Sequence, residues 1–122
     1  MNSINVMGRV TAEPELRTTK TDKKVLTFRI AVNCGFGEKQ TVDFFKISLW
    51  NEYAVSMSKI LSKGRLIGAC GEVHLEEYTD KNGVKGSTMV IKNASITLGD
   101  KSKDGISNSE SEFEDMTDFE EV

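Results

Sequence analysis

The sequence contains few of the residues from which catalytic and metal sites are usually built. It has one histidine, two cysteines and one proline in 122 residues. The single histidine, His74, is not paired with a nucleophile by any recognisable spacing, so acid–base or covalent catalysis is not indicated. No Cys-x-x-Cys pair is present, so a closed zinc site is not indicated either. We therefore expect a protein that is not an enzyme and that needs no metal or cofactor.

Long apolar runs and a secretory leader are also lacking. No run approaches the roughly 20 residues that cross a bilayer, and the start, MNSINVMGRV, is neither basic nor continuously apolar. Cys34 and Cys70 lie far apart in the chain, so two buried free thiols are expected rather than a disulfide. These features predict a cytoplasmic protein with no membrane partner.

The charges divide the chain into two parts. Residues 1–98 hold 14 Lys or Arg and 10 Asp or Glu, a net of +4, whereas residues 99–122 hold 2 and 9, a net of −7. The second part is rich in Ser, Asp and Glu and has too few apolar groups to offset the entropy of ordering it. We expect one folded domain at 1–98 and a disordered acidic tail at 99–122.

Within residues 1–98 apolar residues alternate with polar ones, which is the period of β-strands. Strands are predicted close to 4–10, 25–34, 42–50, 64–78 and 84–98. Asn82-Gly83 between the last two predicts a two-residue hairpin turn with positive φ at both residues. Gly68 and Gly71 allow strong curvature in the fourth strand.

One segment departs from this alternation. Its apolar residues recur at helical spacing: Tyr53, Met57, Ile60 and Leu61. The spacing predicts one amphipathic helix from an Asn51 N-cap to Gly64, between the third and fourth strands. Five curved antiparallel strands with a helix at that place are typical of the OB-fold, a small, partly open barrel in the all-β class.

The third strand, VDFFKISLW, has an unusual outward side. Its core candidates share one parity: Phe45, Ile47 and Leu49. The opposite parity carries Phe44, Lys46 and Trp50, which we call the outer face. Because antiparallel sheets normally show water a polar surface, this face needs a partner, which could be the helix, a second subunit or a ligand.

Two further aromatic residues and several cations fit a ligand. Phe36 lies in a glycine-flanked loop, and Tyr78 shares the outward parity of its strand. The interleaved basic residues include Arg9, Arg17, Arg29, Lys63 and Lys85. Single-stranded nucleic acid offers unpaired bases that stack on rings and phosphates that attract Lys and Arg. The pattern therefore favours sequence-tolerant binding of single-stranded DNA.

Several short motifs resemble those of bacterial and phage single-stranded DNA-binding proteins. They are NVMGRV at 5–10, EPELR at 13–17, FRIAVN at 28–33, DFFK at 43–46 followed by Trp50, and LSKG at 61–64. The resemblance covers residues 1–98 and, loosely, the tail. It implies an OB-fold that usually forms homotetramers and serves DNA replication, recombination and repair in the cytoplasm, at the nucleoid, or in the host cytoplasm if a phage encodes it.

The resemblance also implies site residues. Base stacking maps onto four rings: Phe36, Phe44, Trp50 and Tyr78. Phosphate contacts map onto Lys46, Lys63, Arg9, Arg17, Arg29 and Lys85. Acidic tails of the family recruit partner proteins through a terminal peptide, here Asp118, Phe119, Glu120, Glu121 and Val122. The stretch His74 to Glu77 is acidic where relatives often carry basic residues, which predicts weak phosphate binding there.

Two other functions are compatible with the sequence. An OB-fold interaction module, primosomal or scaffold-like, would bury the outer face against a protein and bind little nucleic acid. A small hydrolase could hold a divalent ion at Asp22, Asp43 or Glu52, but these carboxylates are scattered over different elements.

Overall fold

The computed structural model describes residues 1–100, which form six strands, one α-helix and a short 3-10 helix at Gly37–Lys39. The elements are β1 (Ile4–Val10), β2 (Glu15–Thr18), β3 (Lys24–Cys34), β4 (Thr41–Trp50), α1 (Asn51–Ser58), β5 (Leu66–Thr79) and β6 (Lys85–Leu98). The predictions for the acidic tail beyond residue 100 lie outside the described residues. No helix within residues 1–100 is long and apolar enough to cross a membrane.

The strands form one closed sheet in the order β1-β5-β6-β4-β3-β2. Closure comes from β1, which pairs with β5 along most of its length and with β3 through Arg9↔Ala31 and Val10↔Ile30. The OB-fold prediction is confirmed, with two differences. The pairing of β4 with β6 is parallel rather than antiparallel, and β2 adds a short sixth strand at the edge.

The core lies on the predicted parity of the central strands. Phe45, Ile47 and Leu49 of β4 are buried and pack against Leu26, Phe28 and Ile30 of β3. Each of these strands presents every second side chain inward because successive residues of a strand point to opposite faces. The same alternation leaves the other half of β4 on the outer face.

The helix is shorter than its apolar spacing predicts. It ends at Ser58, after which the turn tightens: Lys59 N–H donates to Ser56 O and Ile60 N–H donates to Met57 O, at 3.3 and 3.0 Å, each three residues back along the chain. Asn51 has a positive φ of 56° and is the first helical residue, not the N-cap, which is Trp50. The positive φ of Gly64 serves a turn against β1 instead of a helix C-terminus.

The hairpin between β5 and β6 has a three-residue loop, so the predicted two-residue turn is wrong. Asp80 Oδ1 accepts the N–H groups of Asn82 and Val84, at 2.8 and 2.9 Å, and Asp80 N–H donates to Val84 O. Gly83 has a positive φ, whereas Asn82 does not. The carboxylate of Asp80 thus fixes a loop one residue longer, which shifts the register of β6 by one residue.

The cysteine prediction is only partly correct. Both thiols are free, but Cys34 is half-buried and Cys70 is exposed on β5, next to the bulge at Gly71. Burial and the neighbouring Asp43 carboxylate raise the pKa of Cys34. The raised pKa lowers the thiolate fraction at neutral pH.

Candidate nucleic-acid interface

The four predicted rings are all exposed. Phe44 and Trp50 on the outer face of β4 expose 55% and 49% of their surface, Tyr78 exposes 53%, and Phe36, in the loop after β3, exposes 92%. The helix does not cover them, since its buried residue, Ala54, packs into the core. Of the partners considered for the outer face, the helix is therefore eliminated.

Two cations lie side by side between these rings. Arg29 of β3 and Lys46 of β4 are directly opposite each other in the ladder, and both lie on the outer face. Like charges at directly opposed positions destabilise a sheet. The neighbouring pair, Ala31 and Phe44, puts a methyl group beside the phenyl ring, so the ring stays uncovered. Two adjacent cations beside an uncovered ring suit a ligand that combines negative charge with an apolar surface.

The outer face extends across β3 to the edge strand. Arg17 of β2 is opposite Val25, which is opposite Trp50, so these three residues form one row across three strands. Arg17 Nη2 forms an exposed ion pair with Glu15 Oε2 at 2.6 Å. Exposed ion pairs contribute little, so a phosphate can compete for this guanidinium.

Tyr78 is held against the neighbouring strand by a glycine. Gly86 is directly opposite Tyr78 in the β5–β6 ladder, and a Cβ at position 86 would lie 2.6 Å from both Cζ and Oη of the ring. The ring therefore occupies the space that a side chain would fill, an arrangement known to compensate glycine in sheets. One side of the ring is packed, and the ring keeps half of its surface for a ligand.

Two open hollows lie next to each other between β4 and the β5–β6 hairpin. The first, of about 350 Å³, is lined by Lys46, Ser48, Trp50, Glu76, Val90, Lys92 and Asn93. The second, of about 310 Å³, is lined by Arg29, Lys46, Glu76, Glu77, Tyr78 and Thr88. Each hollow has one aromatic wall, and both share Lys46 and Glu76. Val90 is paired with Lys46 in the β4–β6 ladder, and its side chain is buried. It gives the first hollow an apolar floor.

Three of the residues predicted to contact phosphates line neither of these two hollows. Arg9 Nη1 donates to Gly64 O at 2.9 Å, and Lys63, in the loop after α1, donates its backbone N–H to Glu13 Oε1 at 3.2 Å. Lys85 is opposite Thr79, one residue beyond Tyr78, so strand alternation puts it on the other face of the hairpin, although Lys85 and Tyr78 both line a third hollow of about 630 Å³. The two-residue turn would have placed Lys85 on the face of Tyr78.

A comparison with protein families identifies the family to which this chain is related. The family model described as the single-strand binding protein family matches residues 1–98. The chain belongs to this family. The match covers the whole OB-fold and ends at residue 98, where the positively charged part of the chain gives way to the negatively charged part.

Curated relatives carry the same family name. The single-stranded DNA-binding protein of Streptococcus mutans is 32% identical over 115 residues, which are 89% of this chain and 70% of the relative. Single-stranded DNA-binding protein 1 of Lactococcus lactis is 36% identical over 89 residues, which are 70% of this chain and 59% of the relative.

Solved structures share the fold at low sequence identity. The Plasmodium falciparum SSB, solved in complex with ssDNA, superposes with a TM-score of 0.68 at 24% identity, covering 82% of this chain and 96% of that chain. A small single-stranded DNA-binding protein from Streptomyces coelicolor superposes with a TM-score of 0.69 at 20% identity, covering 80% of this chain and 93% of that chain. Both likenesses establish the architecture.

The side of the interface formed by β5 is acidic in this family member. Glu72 accepts hydrogen bonds from Asn93 Nδ2 at 2.8 Å and pairs with His74 Nε2 at 3.3 Å, and these contacts lower the pKa of Glu72. Glu76 Oε2 lies 3.4 Å from Lys92 Nζ. Sequence reasoning missed Lys92 and Asn93, because only the parallel pairing of β6 with β4 brings them beside Trp50.

Proposed function

We propose that this chain binds single-stranded DNA with broad tolerance of sequence. The observation that supports this most strongly is the composition of the outer face, where exposed rings flank the adjacent cations Arg29 and Lys46. Unpaired bases stack on Phe44, Trp50 and Tyr78, while phosphates follow the cations. Because duplex DNA hides its base faces, single strands are preferred.

The proposed activity is binding without catalysis. Of the carboxylates considered for a hydrolase, Asp22 and Glu52 line one hollow beside the start of α1, whereas Asp43 lies next to Cys34, 3.7 Å from its Sγ. None of the three lines the hollows with Trp50 or Tyr78. A nucleic acid strand on the outer face would therefore not meet them together.

Replacing Arg29 and Lys46 together by Gln is expected to weaken oligo-dT binding and to reduce its dependence on salt. Each phosphate contact to a single strand contributes about 0.7 to the slope of log K against log salt, so the slope should fall by about 1.4. Fluorescence anisotropy of a labelled oligonucleotide, at several NaCl concentrations, gives this slope. The melting temperature should be unchanged or higher, since the double substitution removes two directly opposed positive charges.

Lys59→Gln is the matched control for this experiment. Its charge lies at the C-terminal end of α1, outside the strands of the outer face and outside both hollows, so it should leave the slope unchanged. An unchanged slope in the Arg29→Gln, Lys46→Gln protein would contradict the assignment of phosphates to these cations. If the wild type bound host replication proteins and no oligonucleotide at low salt, the interaction-module alternative would replace the proposed function.

We also propose that the protein acts as a homotetramer in replication, recombination and repair. Leu75 and Met89, which are opposite each other in the hairpin, are exposed apolar residues on the face away from Tyr78. An exposed apolar pair of this kind is suited to a protein contact. Light scattering should then give four times the chain mass of 13.5 kDa.

Partner recruitment is assigned to the acidic tail, through Asp118 to Val122. A chain ending at Asp100 keeps the hydrogen bonds that join Gly99 and Asp100 to Leu66, and it should still fold and bind oligo-dT. We expect it to lose replication and repair proteins that full-length protein captures from a host extract, identified by mass spectrometry. Phe119→Ala should reproduce this loss and Phe113→Ala should not. Equal capture by the full-length protein, the chain ending at Asp100 and the two Phe variants would exclude the tail as the site of partner recruitment.

A further inference from the structure

Glu76 occupies a central place in the interface. It lines both hollows, together with Lys46, so that Trp50 is the aromatic wall on one side of it and Tyr78 on the other. Its ion pair with Lys92 uses Oε2 and leaves Oε1 without a partner among residues 1–100. A negatively charged acceptor therefore stands between the two places where bases would stack.

The charges of the interface fix which part of a nucleotide meets Glu76. Arg29 and Lys46 attract phosphates towards β3 and β4, whereas Glu72 and Glu76 repel phosphates from the outer face of β5. A strand lying along β4 therefore turns the edges of its bases, not its backbone, towards the hairpin.

An ionised carboxylate only accepts hydrogen bonds. Cytosine offers it an exocyclic amino group, as do adenine and guanine, and acceptance from cytosine N4 is an established use of Glu in base recognition. Thymine instead presents two carbonyl oxygens on either side of a single N–H. A thymine edge next to Oε1 therefore meets repulsion that a cytosine edge avoids.

We propose that Glu76 is a specificity-determining residue that favours bases bearing an amino group over thymine in the two hollows. This inference rests on the proposed function and deepens it. Stacking remains tolerant of sequence and supplies most of the affinity, so the preference is one of base composition. Glu76 exerts it by rejecting thymine as well as by accepting cytosine.

The experiment compares labelled dC15 and dT15 at one salt concentration and pH 8, with wild type, Glu76→Gln and Glu72→Gln. The Gln amide can donate to thymine O4, so Glu76→Gln should shift the ratio of the two dissociation constants towards dT15 by about five- to tenfold. Glu72→Gln removes the same charge from the same face of β5, outside both hollows. It should strengthen binding of both oligonucleotides equally and leave the ratio unchanged.

The outcomes separate this inference from the proposed function. If the ratio is the same in wild type and Glu76→Gln, or if Glu72→Gln shifts it equally, base selection by Glu76 is wrong while single-stranded DNA binding stands. If wild type binds neither oligonucleotide at low salt, the proposed function itself fails. Glu76→Ala, which removes the acceptor without adding a donor, should abolish the discrimination against thymine. Cooperative melting of each variant verifies that it is folded.

Discussion

Replacing Phe44 and Trp50 together by alanine is expected to reduce the affinity for oligo-dT by about 30-fold to more than 1,000-fold. Stacking on an aromatic side chain contributes about 1 to 3 kcal/mol per base, and two rings are removed. Roughly half of each ring is exposed, and neither belongs to the core, so the fold should melt as cooperatively as the wild type. The loss of affinity would then report on the interface alone.

Anisotropy of a labelled oligonucleotide measures this loss in the double variant, which has no tryptophan. In the wild type, Trp50 is the single tryptophan, so quenching of its emission by oligo-dT reports contact directly. Leu16→Ala is the control, because it removes a large side chain that is 42% exposed on the face of β2 away from Arg17. Binding by the double variant within about twofold of wild type would remove stacking from the proposed function.

Alanine at position 8 is expected to lower the free energy of unfolding by about 1 to 3 kcal/mol or more. A Cβ on Gly8 would lie 2.4 Å from the carbonyl oxygen of Ala31. That atom belongs to the main chain of β3, so the clash can be relieved only by separating β1 from β3 where they close the barrel. The melting temperature should fall by about 4 to 8 °C for each kcal/mol.

Gly68→Ala provides a matched control on the neighbouring strand. Gly68 is opposite Met7, next to Gly8, and its nearest contact for an added Cβ is Thr97 Cβ at 3.6 Å, an ordinary van der Waals distance. This variant should melt close to the wild type in a thermal scan followed by circular dichroism. If Gly8→Ala and Gly68→Ala melted at the same temperature, close approach of β1 to β3 would not be what requires glycine.

The sequence was sufficient to predict the features that depend on strand period. Alternation in β4 separated Phe45, Ile47 and Leu49 from Phe44, Lys46 and Trp50 correctly, because a strand admits only two faces. The same argument placed Tyr78 outward. Burial of one face of a strand requires apolar residues at every second position, and this alternation is visible in the sequence. Aromatic residues at the remaining positions stand out because exposed positions are usually polar.

Features that depend on longer-range packing could not be predicted in this way. The hairpin register was set by the Asp80 carboxylate rather than by Asn82-Gly83, and this single-residue shift exchanged Lys85 for Gly86 on the face of Tyr78. The strand β2 was missed because all four of its residues are exposed, so no alternation marks it. The role of Glu76 emerges only when β4 and the hairpin are placed side by side.

The alternation of β4 also limits how this interface can diversify. A single inserted or deleted residue between Thr41 and Trp50 would exchange the inward and outward sets, putting Lys46 into the interior and displacing the rings at the same time. Length changes that keep both sets in place are therefore expected in the connection before β4, at 35–40, and not within the strand. Variants with altered nucleic acid preference should differ by point substitution along β4 and by the length of the loop that precedes it.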